Sequence, residues 1–286
     1  MKCSALAALL PICFACHLSG PEKNEAVNVA EADSLVGQHD DVDENIVSNA
    51  DSVVMPAAHR ALLAAYPDQI VDIKDNQLIM ASGATIVYDD GKQKGHVERL
   101  DDSDVEDMFN VSYRLPEPEP DFLYDPGRSR SEALFKEMYG NSASEVRRRL
   151  SKVEWFGQTV TFTSVNGGAD SLRAVAKEIA EYPALKPYLK SSGTFYWRPV
   201  RGAKRMSAHS YGIAFDIAVD KADYWQWRGG TTDEMKKVKY ANRIPLQLVE
   251  IFQRHGFIWG GAWYHYDTMH FEFRPELLKY AELMNL

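Results

Sequence analysis

Two stretches far apart in the chain hold residue types that can do chemistry together: Ser207-Ala208-His209-Ser210-Tyr211-Gly212-Ile213-Ala214-Phe215-Asp216 and Asp267-Thr268-Met269-His270-Phe271-Glu272. Two neutral imidazoles and one carboxylate bind Zn²⁺ and leave a fourth position for water, the arrangement of a catalytic site. His209, Asp216 and His270 are the candidate ligands. Asp267 stands three residues before His270, near enough for its carboxylate to take a proton from a water at that fourth position and return it to a leaving amine. Glu272 is the rival base. Because it shares a face with His270, it is better suited to orient a ligand imidazole.

These side chains need strands to position them. In 212–219, Ile213, Phe215, Ile217 and Val219 alternate with Ala214, Asp216 and Ala218, the period of a strand with one apolar face, so Asp216 points away from the core. The segment 269–273 repeats the device: Met269, Phe271 and Phe273 share one face, His270 and Glu272 the other. Two such strands in one sheet bring Asp216 and His270 together, with His209 delivered from the loop before the first.

Other residues compete for roles. His255 precedes Gly256 at a predicted helix end, where its charge favours the helix dipole and a structural role dominates. His265 lies close to the second motif, and both a substrate-facing and a structural role stay open for it. Arg198, after Phe195-Tyr196-Trp197, is placed either to stabilise an oxyanion or hold a substrate carboxylate, or to sit as a solvated residue before Pro199. The glycine pairs at 167–168, 229–230 and 260–261 lack phosphate-loop spacing and read as turns.

Composition limits the rest. At 286 residues the chain is long enough for a sizeable core. Residues 1–16 join Lys2 to an apolar run, which reads as a secretory signal and is too short to remain as a spanning helix. Ile12-Cys13-Phe14-Ala15-Cys16 loosely resembles a lipoprotein processing box, so lipid attachment at Cys16 and simple cleavage are both open. All three cysteines lie in this leader, so an exported domain has neither a disulfide nor a thiolate ligand, and any metal falls to His, Asp or Glu. Residues 21–50 carry eight acids against Lys23, net −7 of the chain's −9, and residues 17–50 read as a solvated acidic tether. No basic field for nucleic acid is visible.

Behind the tether, residues 51–120 form a front segment too short for its own core. It holds a helix over 57–66, a hairpin over 78–88 and an extended connection in which Pro116, Pro118 and Pro120 alternate with acids, either a domain boundary or, in preference, a strap across the domain behind it. Helices are predicted over 131–139, from Ser144 through Val146, Leu150 and Val153, from Asp170 through Ile179, and from Pro245 to Gly256. Strands are predicted over 159–163 and 193–197. The order of elements is α+β, with a mainly antiparallel central sheet flanked by helices.

The paired motifs, Ser-x-His-x-x-Gly-x-Ala-x-Asp over 207–216 and Trp-x-x-x-Asp-x-x-His-Phe-Glu over 263–272, resemble the zinc D-alanyl-D-alanine carboxypeptidase family, which includes the vancomycin-resistance D,D-peptidases and phage L-alanyl-D-glutamate endolysins. The resemblance implies that family's α+β fold in a domain over 121–286, with 51–120 as an accessory segment packed on it. By position it assigns Zn²⁺ to His209, Asp216 and His270, the base to Asp267, carbonyl polarisation to Arg198 and a substrate contact to Ser207. Several members carry glutamate where Asp267 stands. The implied protein is an exported cell-envelope peptidase acting on the stem peptide of peptidoglycan, most readily as a D,D-carboxypeptidase. The alternatives are an endopeptidase on the same stem and a zinc-containing wall-binding module without activity.

Overall fold

The computed structural model describes residues 55–285; the leader with Cys16, the acidic tether and residues 51–54 lie outside the described residues. Pro56 precedes the first helix, α1 (Ala57–Ala65). Three short strands follow, β1 (Ile70–Lys74), β2 (Gln77–Met80) and β3 (Thr85–Val87), in an antiparallel sheet ordered β1-β2-β3. The hairpin expected over 78–88 is β2 with β3. β1 was not foreseen: it turns into β2 at Asp75-Asn76, both at positive φ, a conformation these two residue types tolerate. A short helix, α2 (His96–Asp101), and the proline strap lead on to α3 (Glu132–Tyr139), whose N-terminus is capped by the Ser131 hydroxyl and which is closed by Gly140.

Three sequence assignments are corrected here. The next helix, α4 (Ala143–Arg148), is capped by Ser142 rather than Ser144, the Ser142 hydroxyl accepting from the Glu145 N–H at 3.3 Å. It also stops before Leu150. Leu150 and Val153 belong to β4 (Leu150–Trp155), which turns through Phe156-Gly157 into β5 (Gln158–Thr163). Both turn residues have positive φ, so the hairpin overrides a helical reading of this stretch. Gly167, not Asp170, is the N-cap of α5 (Gly168–Ile179), and Asp170 lies in its first turn. The strand expected over 193–197 lies earlier, as β6 (Ser191–Gly193), and Phe195-Tyr196-Trp197 runs outside it.

The remaining elements are β7 (Ala214–Ile217), α6 (Trp225–Gly229), α7 (Leu246–Arg254), β8 (Phe257–Trp259), β9 (His270–Phe273) and α8 (Pro275–Leu283). Strands β6-β7-β9-β8 form an antiparallel sheet in that order. One face is apolar: Phe215 and Phe271 lie opposite each other in the register, Phe252 of α7 stacks on Phe271 at 4.0 Å between centroids, and Trp155 meets Phe215 edge-on at 4.7 Å. Burying such rings supplies most of the favourable free energy of the core. The front segment shares that core: Leu62, Tyr66 and Leu78 are buried in it, and the Tyr66 hydroxyl donates to Glu276 Oε2 of α8 at 2.5 Å. The architecture is α+β. No helix among the described residues is long and apolar enough to cross a membrane.

Candidate active site

The sheet register decides the geometry. Asp216 of β7 pairs directly with His270 of β9, and because side chains directly opposite one another share a face, carboxylate and imidazole meet. Asp216 Oδ1 lies 2.8 Å from His270 Nδ1, and Asp216 Oδ2 lies 3.1 Å from His209 Nε2. His209 arrives on a single helical turn, Ala208–Tyr211, that ends at Gly212. Gly212 has φ +67°, and a Cβ there would collide with the Leu150 side chain, so this motif position requires glycine. Its carbonyl accepts from Thr163 N–H at 2.9 Å, tying the turn to β5.

Both imidazoles are held from behind. His209 Nδ1 donates to the Thr194 carbonyl at 2.6 Å, which leaves Nε2 directed at Asp216. His270 Nε2 donates to Glu272 Oε1 at 2.8 Å, which turns Nδ1 to the same carboxylate. Glu272 is fully buried and gripped by Arg130 through two bonds, with Arg274 Nη1 at 3.4 Å. Burial resists its charge, but Arg130 and His270 outweigh that and hold it well below the usual carboxylate range. A carboxylate so tied can fix a ring's tautomer and is a poor proton shuttle. Asp216 behaves likewise: burial opposes its charge, and His209 and His270 keep it ionised.

Three donor groups, two imidazole nitrogens and a carboxylate, therefore face one another within 4.8 Å, each ring with its orientation set by a second hydrogen bond. That donor set suits Zn²⁺, with one position open to the cavity. Burial alone would lower the pKa of His270, but the bonds to Asp216 and Glu272 push it up to about 10. Metal must displace the His270 proton, so Zn²⁺ uptake at pH 7 should release about one proton per site, and affinity should rise roughly tenfold per pH unit until His270 titrates. Titration calorimetry in buffers of different ionisation heat measures this; pH-independent affinity between 7 and 9 would refute it.

Asp267 sits at the same cavity, of about 260 Å³. Its backbone is pinned, N–H to the Gly260 carbonyl at 2.9 Å and carbonyl to the His270 N–H at 3.1 Å, while Oδ1 is buried with no hydrogen-bond partner. Burial and the nearby Asp216 charge push its pKa up to about 7, against the pull of His270 and His209. An acid with one oxygen free of partners and a pKa near neutrality is suited to proton transfer.

Arg198 and Ser207 also line this cavity. The Arg198 backbone is held on both sides by the Ser210 hydroxyl, at 2.9 Å from its N–H and 2.8 Å from its carbonyl, and its guanidinium lies at the exposed rim, donating to the Pro199 carbonyl at 3.2 Å. Ser207 is buried. His255 pairs with Glu178 at 2.7 Å, away from the cavity. His265 lines the cavity and holds Asp125. Sequence reasoning missed Arg128, Arg130 and Arg205, which line the same wall. The polar run Gly127-Arg128-Ser129-Arg130 between strap and helix was the available signal, but nothing local ties it to residues 140 positions later.

Residues 201–273 match the family model described as D-alanyl-D-alanine carboxypeptidase. This is the family that the paired motifs resemble, and the matched stretch contains His209, Asp216, Asp267, His270 and Glu272 while leaving Arg198 outside. No curated protein matches the chain.

Proposed function

We propose that the chain is an exported zinc metallopeptidase that hydrolyses a peptide bond in the stem peptide of peptidoglycan, acting as a D-alanyl-D-alanine carboxypeptidase. The observation that carries this reading is the juxtaposition, in one cavity, of three convergent metal donors and the half-buried Asp267, whose Oδ1 has no hydrogen-bond partner. A wall-binding module has no use for an acid of raised pKa beside three metal donors.

His209, Asp216 and His270 would hold the ion, which would supply Lewis acidity towards the scissile carbonyl and a water of pKa about 7. Asp267 accepts the proton of the attacking water and passes it to the leaving amine. Arg198, at the cavity rim, turns its guanidinium from the Pro199 carbonyl towards the oxyanion that develops on the substrate. Ser207 contacts the peptide beside the scissile bond. Glu272 keeps its charge and holds His270 in one tautomer throughout. A cell-envelope location, supported by the leader-like and acidic composition of residues 1–50, belongs to the same proposal, with Cys16 as the candidate lipid acceptor.

Digestion of purified peptidoglycan, read by mass spectrometry, tests the reading. Release of a single alanine from pentapeptide stems is the expected result, abolished by a chelator and by His209→Ala. Cleavage within the stem would reassign the chain as an endopeptidase, and intact stems under metal-loaded conditions would favour the binding module.

A further inference from the structure

We propose that this chain holds a second divalent cation of the zinc class, bound by His96, Asp125, Glu234 and His265. These four share no donor with the first site. His96 opens α2, Asp125 follows the proline strap, Glu234 lies in the stretch between α6 and α7, and His265 stands two residues before Asp267. One ligand atom from each lies within 4.8 Å of all the others. His265 Nδ1 is 2.6 Å from Asp125 Oδ2 and 3.3 Å from Glu234 Oε2; His96 Nε2 is 3.5 Å and 3.7 Å from the same two oxygens. Zinc bonds of about 2.0–2.2 Å in a tetrahedron set neighbouring ligand atoms roughly 3.3 Å apart, and the four separations bracket that value.

A second observation points the same way. His96 Nε2 is buried without a hydrogen-bond partner although two carboxylate oxygens face it. Those separations are long for hydrogen bonds and ordinary for ligands around a common ion.

The carboxylates are also steadied from their outer sides. The His265 N–H donates to Asp125 Oδ1 at 3.0 Å, and Arg128 Nη2 donates to Glu234 Oε1 at 2.7 Å. Arg128 Nη1 reaches Asp125 Oδ2 at 3.1 Å and Glu234 Oε2 at 2.8 Å, and Arg205 Nη2 lies 3.8 Å from Glu234 Oε1. Arg128 thus balances one of the two carboxylate charges at the inner oxygens, and the ion would replace the direct His265 Nδ1 contact with Asp125 Oδ2. With four protein ligands and no open position the site is structural. Its effect is mechanical: it joins three other segments, among them residues 230–245, which contain neither helix nor strand, to the loop that presents Asp267.

Metal content settles this. The full-length exported chain is loaded with Zn²⁺, dialysed and assayed by inductively coupled plasma mass spectrometry. The expected stoichiometry is two ions per chain in the wild type, one in His96→Ala, one in His209→Ala and none in the double variant, with Glu234→Gln replacing His96→Ala should that protein misfold. Added Zn²⁺ should raise the melting temperature of His209→Ala and leave that of the double variant unchanged. One ion in the wild type and none in His209→Ala would overturn the second site while leaving the first intact, as would a His96→Ala protein binding as many ions as the wild type. One ion in His209→Ala and none in His96→Ala would uphold the second site and remove the metal basis of the peptidase reading.

Discussion

Asp267→Ala should retain the ion at His209, Asp216 and His270 and lose about 10²–10⁴-fold in kcat, the usual contribution of a positioned general acid-base. Asp267 donates to no ligand and accepts no side-chain hydrogen bond, so its removal leaves the donor set and its supports standing. Asp267→Asn should fail to the same degree while keeping the shape. Metal content and turnover measured on one preparation separate this from damage to the site. Full activity in Asp267→Ala would sink the assignment, and Glu272 would be a poor successor, because Arg130 and His270 occupy both of its oxygens.

Arg274→Met should destabilise the domain by about 3–5 kcal/mol, the cost of stranding a buried carboxylate. Arg274 is fully buried, donating to Glu276 Oε1 at 2.5 Å and to the Gly127 carbonyl at 3.0 Å, with Glu272 beside it. Methionine fills most of its volume but leaves Glu276 with only the Tyr66 hydroxyl. For a domain of this size the melting temperature should fall by roughly 10 °C. Adding Glu276→Gln should restore a large part of the loss, because the two residues act as one unit. A fall of less than 3 °C, or strict additivity in the double variant, would show that the network contributes little.

The site was legible in the sequence because its information is local and periodic. Alternation in 212–219 and 269–273 put Asp216 and His270 on one face of each strand, and the observed register sets them opposite each other. Gly212 was visible as a motif glycine, and its reason, the Leu150 side chain against it, appears only in three dimensions. Helices with a clear apolar stripe and a start signal, Ser131 for α3 and Pro245 for α7, were read to within a residue or two. The failures share a cause. Val146, Leu150 and Val153 have helical spacing, but a turn at Phe156-Gly157 lets 150–155 pair with β5, and a hairpin partner outweighs a weak helical stripe. Arg130 could not be connected with Glu272 because no periodicity spans 142 residues. Its role is set by tertiary folding, as are those of Arg128 and Arg205.

The order β6-β7-β9-β8 has a consequence for how the polypeptide becomes competent during synthesis. Its middle position is filled by the segment translated last among the four, so a nascent chain that ends short of residue 270 has β7 and β8 with nothing between them. Such a chain also lacks the second imidazole. The three donors can therefore converge only once this last strand has joined the sheet between its two neighbours.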